Sequence, residues 1–436
     1  MLKFLLLPLC LFLLSFAATA QPLTASEIDQ VANNALKTFD VPGIAVAVIK
    51  DGRVVHAKGY GVRSLNTGKP VDENTLFGIA SNSKAFTAAA LGILVDEGKL
   101  SWDDKVRKYI PEFKLSVPYV TEEFTIRDLL THRSGLGLGA GDLMFFPDSS
   151  DFTLKDILYN LQFLKPASSF RSKFDYDNNM YIIAGEVVHR VSGMSWDDFV
   201  ESRILAPLGM THTATSFDRL RDKSDVIDGH APVNGKVQVI ARSGLKVVHA
   251  AAGINSSIAD LSKWVLFWLN NGRYSPDSTK RILSAATMKE IWSPQTIIPV
   301  SEPGYYNTHF SAYGLGFFIS DVKGYKQITH TGGLEGMVTQ ITMIPELNLG
   351  IIVLTNQQEG AAFRSITNQI KDGYLGLKGT DWVKKFNEER TEDLNYANAV
   401  TDSIWKEIAL NQKKNTLPDF SVYEGVYRDP WLGDVS

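Results

Sequence analysis

The chain has 436 residues, of which 44% are hydrophobic and 21% are charged, so it can bury a substantial core in one large domain or two. Its formal net charge is −4, and it contains no basic tract of the kind that follows a phosphate backbone or an anionic lipid surface. We therefore expect no nucleic-acid partner.

Residues 1–20 have the pattern of a signal peptide. Lys3 is followed by an apolar stretch over residues 4–16 and then by small residues at 18–20. The apolar stretch is shorter than the roughly 20 residues that a membrane-spanning helix needs, so we expect cleavage and no retained membrane anchor. The predicted location is secreted or periplasmic.

The single cysteine, Cys10, lies inside this apolar stretch. The mature protein would therefore have no cysteine, which leaves out disulfides, thiolate catalysis and cysteine-bound zinc. The eight histidines are scattered and form no H-E-x-x-H motif. We expect neither a metal ion nor a cofactor.

The first elements of the mature chain are a helix and a hairpin. Apolar residues recur at helical spacing between 28 and 36, and residues 43–50 and 53–62 are strand-like on either side of the Asp51-Gly52 turn. Helical patterns then dominate as far as about residue 271 and cover residues 84–97, 154–164, 180–191 and 258–269. Strand patterns return over residues 314–320, 327–330, 337–344 and 349–354.

This order predicts an α/β (α+β) fold. The two terminal regions form one antiparallel sheet flanked by helices, and the helical part, about residues 81–300, is inserted as an all-α lobe. A cleft between the two lobes is the expected site. Residues 378–414 are charged and helical in pattern, either a linker or a helix packed on the main body.

Ser81 and Lys84 are the first candidates for chemistry. A serine hydroxyl needs a base within hydrogen-bonding reach, and a lysine three residues later on a helix shares its face. The same spacing recurs at Ser243 and Ser403, but only Ser81 follows a strand-like segment and opens an apolar helical pattern. Such a helix start offers free N–H groups, although Ser81 as a simple N-cap is the alternative. Lys84 must be buried, because a base near neutral pH needs a pKa of about 7 to 8.

Two further motifs follow along the chain. Tyr176 and Asn178, just before a helical pattern, offer a phenol for proton relay and an amide for the substrate carbonyl or for Lys84. His330, Thr331, Gly332 and Gly333 end a strand, where small residues let a substrate lie against the backbone and where His330 can relay protons. Taken alone, each motif also fits a purely structural role.

Ser81-x-x-Lys84, Tyr176-x-Asn178 and His330-Thr331-Gly332, in that order, resemble the three motifs of the class C β-lactamase and penicillin-recognising peptidase superfamily. Other stretches resemble it as well, and the resemblance covers about residues 27–377, within a predicted hydrolase domain of residues 21–377. These stretches are FGIASNSKAFTAAALGILVDEGKLSWDDKV, LLTHRSGL, AAAGINSSIADLSKW and HTGGLEGM.

The resemblance implies a serine hydrolase of the β-lactamase/transpeptidase-like fold, with Ser81 at the start of the helix between the lobes. It implies that Ser81 attacks the substrate, that Lys84 and Tyr176 move the proton and that Asn178 orients the groups around them. The backbone N–H groups of Ser81 and Gly333 would hold the oxyanion. The expected partner is a small-molecule or peptide substrate, and the oligomeric state is left open.

One residue departs from the family pattern and bears on the substrate. The β-lactamases and carboxypeptidases of the superfamily usually carry lysine where this chain has His330. A permanent cation suits a substrate carboxylate, whereas histidine is mostly neutral near pH 7. We therefore expect a D-amino-acid peptide or an ester ahead of a β-lactam. A β-lactamase and a penicillin-binding or sensor protein without turnover are the alternatives.

Two other segments are interpreted through the same resemblance. His132 in LLTHRSGL is expected to structure a loop beside the cleft and is left out of the catalytic set. The stretch VYEGVYRDPWLGDV resembles the opening of a small β domain that often follows this type of hydrolase. We expect residues 415–436 to be the truncated start of such a domain, after a helical linker over residues 378–414.

Overall fold

The structure is a computed structural model that describes residues 22–147, 150–274, 278–413 and 419–435. The predicted signal peptide lies outside the described residues. The helices are α1 (Ala25–Thr38), α2 (Lys84–Asp96), α3 (Pro118–Glu123), α4 (Ile126–Leu129), α5 (Leu154–Asn160), α6 (Asn179–Ser192), α7 (Trp196–Val200), α8 (Ile258–Leu269), α9 (Ala285–Ile291), α10 (Gly360–Leu375) and α11 (Trp382–Gln412). The strands are β1 (Gly43–Lys50), β2 (Arg53–Gly61), β3 (Phe77–Gly78), β4 (His230–Val233), β5 (Lys236–Val239), β6 (Asn255–Ser256), β7 (Thr296–Ile298), β8 (Ser311–Tyr313), β9 (Phe318–Val322), β10 (Tyr325–Leu334), β11 (Met337–Ile344), β12 (Leu349–Thr355), β13 (Tyr427–Asp429) and β14 (Gly433–Val435).

An eight-stranded antiparallel sheet forms one lobe, in the order β2-β1-β12-β11-β10-β9-β8-β7. β1 pairs with β12, so that Ile44 lies opposite Thr355 and Lys50 opposite Leu349. The N-terminal hairpin thus completes a sheet whose other strands come from the C-terminal half. The predicted fold class, a sheet built by both terminal regions around a helical insertion, is confirmed.

The sheet is covered on both faces at β1 and β12, which explains why these strands are apolar except for their last residues, Lys50 and Thr355. Val46 and Val353 pack with residues of α1 and α10 on one face, whereas Ala45 and Leu354 belong to the large core shared with α8 and the helical lobe. The side chains of alternate residues in one strand therefore pack into two different hydrophobic cores.

α2 runs through the centre of the large core. Every residue from Lys84 to Leu94 is buried, so this helix is apolar all round instead of carrying one apolar face. Phe86 stacks on Trp264 of α8 with ring centroids 3.9 Å apart. The start of α2 is consequently held in place from all sides.

One segment differs from the sequence-based interpretation, and a second, predicted as a helical linker or a packed helix, is a helix buried only at its start. The strand predicted over residues 314–320 is wrong in its first half, because Gly314 N–H bonds to the Phe317 carbonyl and closes a turn in which Gly316 has φ 84°. In α11 only Trp382, Val383 and Phe386 of the first turns are buried, and the following turns are exposed. Among the described helices, none is both long and apolar enough to cross a membrane.

Candidate active site

Ser81 lies in a single 3₁₀ turn, Ala80–Ser83, that leads directly into α2. The turn is anchored by β3, which pairs with β6, and by the bond from Ile79 N–H to the Ile254 carbonyl. Neither this turn nor α2 has a side-chain cap, so the alternative that Ser81 is a simple N-cap is wrong. Its hydroxyl is left for other partners.

Lys84 is fully buried, and its Nζ has three hydrogen-bond partners. These are Ser81 Oγ at 3.0 Å, Asn178 Oδ1 at 2.8 Å and the Ala251 carbonyl at 3.1 Å. Burial lowers the pKa of Lys84 to about 7, against the opposing effect of the Asp142 and Asp177 carboxylates. A neutral Nζ can donate to Asn178 and Ala251 while it accepts the proton of Ser81.

Tyr176 is the second hydrogen-bond partner of Ser81 and lies close to Lys84. Its hydroxyl donates to Ser81 Oγ at 2.8 Å, and its ring centroid is 4.9 Å from Lys84 Nζ. Burial raises the pKa of Tyr176 well above its usual value, and the hydrogen bond with Ser81 opposes this only in part. The phenol therefore stays protonated at neutral pH and can act as a proton donor.

Asn178 connects Lys84 to a carboxylate that the sequence interpretation missed. Its Oδ1 accepts from Lys84, and its Nδ2 donates to Asp142 Oδ2 at 3.3 Å. Burial raises the pKa of Asp142, and the bond from Asn178 and the charge of Lys84 oppose that rise. Asp142 follows a glycine-rich segment with no motif of its own, and only the tertiary contact identifies it.

His132 supports the segment that carries Tyr176. Its Nδ1 accepts from the Asp177 N–H at 3.1 Å, its carbonyl accepts from the Asp175 N–H at 2.8 Å, and its ring stacks on Tyr176 at a centroid distance of 4.2 Å. Burial lowers the pKa of His132 well below its usual value, and Lys84 and His330 act in the same direction. The imidazole is neutral and orients the phenol, which agrees with the loop-structuring role expected for it.

Asp177, between the two motif residues, is a second buried carboxylate. It accepts from the Asn179 N–H at 2.8 Å and from Ser134 Oγ at 3.3 Å. Burial raises the pKa of Asp177 to about 7, with the Asp142 charge acting in the same direction and the two hydrogen bonds opposing it. Its place inside Tyr176-x-Asn178 was visible in the sequence, but its burial was not.

His330 lies in β10 and is buried, and it makes contacts other than those predicted. Its Nε2 is 2.9 Å from Tyr313 Oη, and its Nδ1 is 2.6 Å from the Thr331 carbonyl, so Nδ1 carries the proton and Nε2 accepts from Tyr313. Burial and the nearby Lys84 lower the pKa of His330 to about 3. Among the described residues it has no hydrogen bond to Ser81, Lys84 or Tyr176.

The Thr331-Gly332-Gly333 segment forms the other wall of the site. A Cβ on Gly332 would lie 2.2 Å from the Ile79 carbonyl oxygen and 3.0 Å from Ala80 Cβ, so β10 touches the turn that carries Ser81. Gly332 pairs with Thr339 in β11, whereas the pairing of β10 with β9 ends at Thr329. Thr331 and Gly333 are exposed, so the last residues of β10 are accessible beside the turn of Ser81.

The residues predicted for the site therefore meet at one place. Ser81, Lys84, Tyr176 and Asn178 form a continuous hydrogen-bonded chain, and Gly332 lies against the turn of Ser81. His330 is adjacent but directed to Tyr313. The sequence interpretation missed Asp142 and the Ala251 carbonyl, and the second of these lay within the AAAGINSSIADLSKW stretch already singled out.

Comparison with known proteins identifies the family. Residues 28–374 match the Beta-lactamase protein family. The chain belongs to the beta-lactamase family. A solved structural neighbour, the octameric penicillin-binding protein homologue from Pyrococcus abyssi, superimposes with a TM-score of 0.70 at 27% identity and covers 82% of this chain and 78% of its own.

Two curated relatives of this beta-lactamase-family chain are similar over most of its length. An unguisins hydrolase of Aspergillus violaceofuscus is 29% identical over 84% of this chain and 68% of its own length. Protein flp of Staphylococcus aureus is 28% identical over 76% of this chain, which spans only 62% of the flp sequence. The family, the fold and the hydrolase-named relative together support a serine hydrolase.

Proposed function

We propose that the protein is an exported serine hydrolase that works through an acyl-enzyme at Ser81 and acts on a D-amino-acid peptide or an ester. The observation that carries the proposal is the position of Ser81 Oγ, 3.0 Å from a buried lysine amine and 2.8 Å from a tyrosine hydroxyl. A serine hydroxyl that is hydrogen-bonded to both a base and a proton donor has what acyl transfer requires.

In the proposed acylation step Lys84 is the base. Its amine, neutral above about pH 7, takes the proton of Ser81 as Oγ attacks the carbonyl carbon of the substrate. Asn178 and the Ala251 carbonyl keep Nζ in place as it becomes an ammonium. The oxyanion that forms is held by the N–H groups of Ser81 and Gly333, and Gly333 is an exposed residue of β10 beyond its pairing with β9.

Tyr176 is the proposed acid. Its raised pKa favours the protonated phenol, which gives its proton to the leaving group as the tetrahedral intermediate collapses. Lys84 then returns its proton to Tyr176, which leaves an ester on Ser81 and a neutral amine. In deacylation a water molecule attacks the ester carbonyl and gives a proton to the Lys84–Tyr176 pair, which returns a proton to Ser81 Oγ as its bond to the acyl carbon breaks and the carboxylic acid leaves.

The choice of substrate rests on His330. Its buried, neutral imidazole offers no cation to a substrate carboxylate, which favours an ester or a D-amino-acid amide over a β-lactam. The name of the fungal relative, an unguisins hydrolase, is compatible with a hydrolytic function in the family. β-Lactamase activity and acylation without turnover, as in a penicillin-binding or sensor protein, remain the competing functions.

Mass spectrometry of the intact protein tests the proposal. Purified protein is incubated with p-nitrophenyl esters, D-alanyl peptides and penicillins, and product release is followed alongside any acyl mass at Ser81. We expect sustained ester or D-peptide hydrolysis that Ser81→Ala abolishes. Ser403→Ala, in the equally spaced Ser403-Lys406 pair on the exposed part of α11, is the matched control and should leave turnover unchanged.

Three results would contradict the proposal. Turnover that survives in Ser81→Ala would place the chemistry elsewhere. One equivalent of product followed by a stable acyl mass would indicate a sensor. Nitrocefin hydrolysis at a higher kcat/KM than any ester or D-peptide would indicate a β-lactamase.

A further inference from the structure

Asp142 is a carboxylate beside the reaction centre without a cationic partner. It follows the glycine-rich segment before the 3₁₀ turn Asp142–Met144, and it is half-buried next to Asn178. Within the described residues, no lysine, arginine or histidine lies within ion-pair distance of it. The one polar contact of its carboxylate in that same part of the chain is the 3.3 Å bond from Asn178 Nδ2.

Two other shielded carboxylates are compensated by cations, whereas Asp177 is held by two hydrogen bonds from neutral groups. Asp128 accepts from both Arg133 and Arg171, and Asp260 accepts from Lys263 and from two backbone N–H groups. Removing a carboxylate from water without a counter-charge is costly, and such a group in a cleft is a candidate functional group. Asp142 is therefore a carboxylate whose counter-charge the described residues do not supply.

The nearest cation is Lys84, and it is neutral in the form that acts as a base. Lys84 reaches Asp142 only through Asn178, which accepts from Nζ and donates to the carboxylate. The Lys84 amine connects Ser81 to Asn178, so an acyl group bound at Ser81 would lie close to Asn178, whose Nδ2 carries a second hydrogen. A positive group on that acyl part would come next to Asp142.

We propose that Asp142 is a specificity-determining residue that binds a cationic nitrogen, such as the α-ammonium of an aminoacyl group, on the acyl side of the scissile bond. This inference rests on the proposed function, because it assigns the acyl side relative to Ser81. A charge-assisted hydrogen bond between ammonium and carboxylate fits the open position on Asp142. The preferred substrates are then esters or amides of amino acids with a free amino group.

Orientation of Asn178 is the competing role for Asp142. The substitution Asp142→Asn separates the two, because an asparagine oxygen still accepts from Asn178 while the charge is lost. The matched control is Asp51→Asn in the β1–β2 turn. Asp51 lies at the opposite end of the sheet from Gly333, since Lys50 pairs with Leu349 whereas Val338, opposite Gly333, pairs with Thr355.

The experiment compares D-alanine p-nitroanilide with N-acetyl-D-alanine p-nitroanilide near pH 7. We expect the wild type to prefer the free amine, and we expect Asp142→Asn to lower the ratio of the two kcat/KM values by about tenfold or more. Asp51→Asn should keep the wild-type ratio. An unchanged ratio in Asp142→Asn, whether or not both activities fall together, would overturn the proposal.

A second probe covers the case in which neither anilide is turned over. 1-Aminoethylboronic acid and its N-acetyl derivative can both form an adduct with Ser81, and their dissociation constants are measured by thermal shift. Tighter binding of the amino compound that Asp142→Asn removes would support the proposal, and equal binding of the two by the wild type would overturn it. Failure of Ser81→Ala to abolish hydrolysis or boronate binding would instead disprove the function on which the inference rests.

Discussion

The proposed roles of Ser81 and Lys84 require different exposure to solvent. Ser81 is partly exposed and reachable by a substrate, whereas Lys84 is fully buried and loses the hydration that would keep it charged. The three-residue spacing allows both, because the first lies in the turn before α2 and the second begins the helix inside the core. In the proposed mechanism both residues are reactive because the chain passes from the surface into the core within this one turn.

The pKa of Lys84 sets an expectation for the pH dependence of the reaction. A lysine must lose its proton to act as a base, so kcat/KM should rise with pH along an acid limb with an apparent pKa of about 7. Because the charge of Asp142 favours protonated Lys84, Asp142→Asn should move this limb to lower pH. Initial rates with a neutral ester from about pH 5 to 9 measure both effects.

Two outcomes would contradict this assignment. A limb below about pH 5 would indicate a carboxylate base, and a limb near pH 10 would indicate a hydrated lysine or a tyrosine. Asp51→Asn is the control, since the same loss of charge at the far end of the sheet should leave the limb in place.

Among the secondary-structure elements, β10 is the one in which a larger side chain beside Ser81 would clash. It lies between β11 and β9, and its last residues contact the turn that carries Ser81. Gly332 and Gly333 are adjacent but have different surroundings, since a Cβ on Gly332 meets the Ile79 carbonyl oxygen at 2.2 Å whereas a Cβ on Gly333 meets nothing within 4 Å. Substituting each of the two glycines in turn therefore tests whether β10 contacts the turn that carries Ser81.

We expect Gly332→Ala to push β10 away from Ser81. The substitution should lower the free energy of unfolding by about 1–3 kcal/mol through overpacking, and it should reduce kcat/KM about 100-fold through misplacement of the oxyanion donor. Gly333→Ala keeps its N–H and should retain the wild-type stability. Urea unfolding and ester hydrolysis of both variants measure the difference, and equal stability of the two would show that the close contact does not exist in solution.

On the scale of the whole molecule, the buried carboxylate of Asp128 connects separate segments of the helical lobe through ion pairs. Asp128 is fully buried and is paired with Arg133 at 2.7 Å and with Arg171 at 2.6 Å, which links α4 to two loops beside the cleft. Burial raises the pKa of Asp128, but the bonds from Arg171 and Thr125 and the charge of Arg133 outweigh it, so that the pKa is lowered overall. Asp128 therefore stabilises the fold in its ionised form.

We expect Asp128→Asn to lower the free energy of unfolding by about 3 kcal/mol at pH 7, because it leaves two guanidinium groups without their shared partner. A carboxylate with a depressed folded pKa contributes its stability above the unfolded value of about 4 and loses it as the pH falls through the folded pKa. The difference between wild type and variant should therefore shrink in acid.

Urea titrations followed by circular dichroism at neutral and acidic pH measure this difference. Asp103→Asn is the matched control, since its side chain is 72% exposed although it also pairs with an arginine, and it should cost less than about 1 kcal/mol. Equal effects of the two substitutions would contradict the role of burial.

The sequence by itself determined the local features of this protein. The hairpin around Asp51-Gly52, the helix of residues 258–269 and the strand of residues 337–344 are all found where their patterns predict them. The candidates Ser81, Lys84, Tyr176 and Asn178 also followed from short motifs taken in order. Periodicity and motif spacing act within a few residues, and these features depend on little else.

Only the tertiary structure decided which side chains meet and which lose water. Burial lowers the pKa of Lys84, and two of the groups around its amine, Asn178 and Ala251, are 94 and 167 residues away in the chain, contacts that no local pattern encodes. The same holds for the pairing of β1 with β12, the bond between His330 and Tyr313, and the position of Asp142 beside Asn178. Charge and reactivity at the site depend on burial, and burial is a property of the packed chain as a whole.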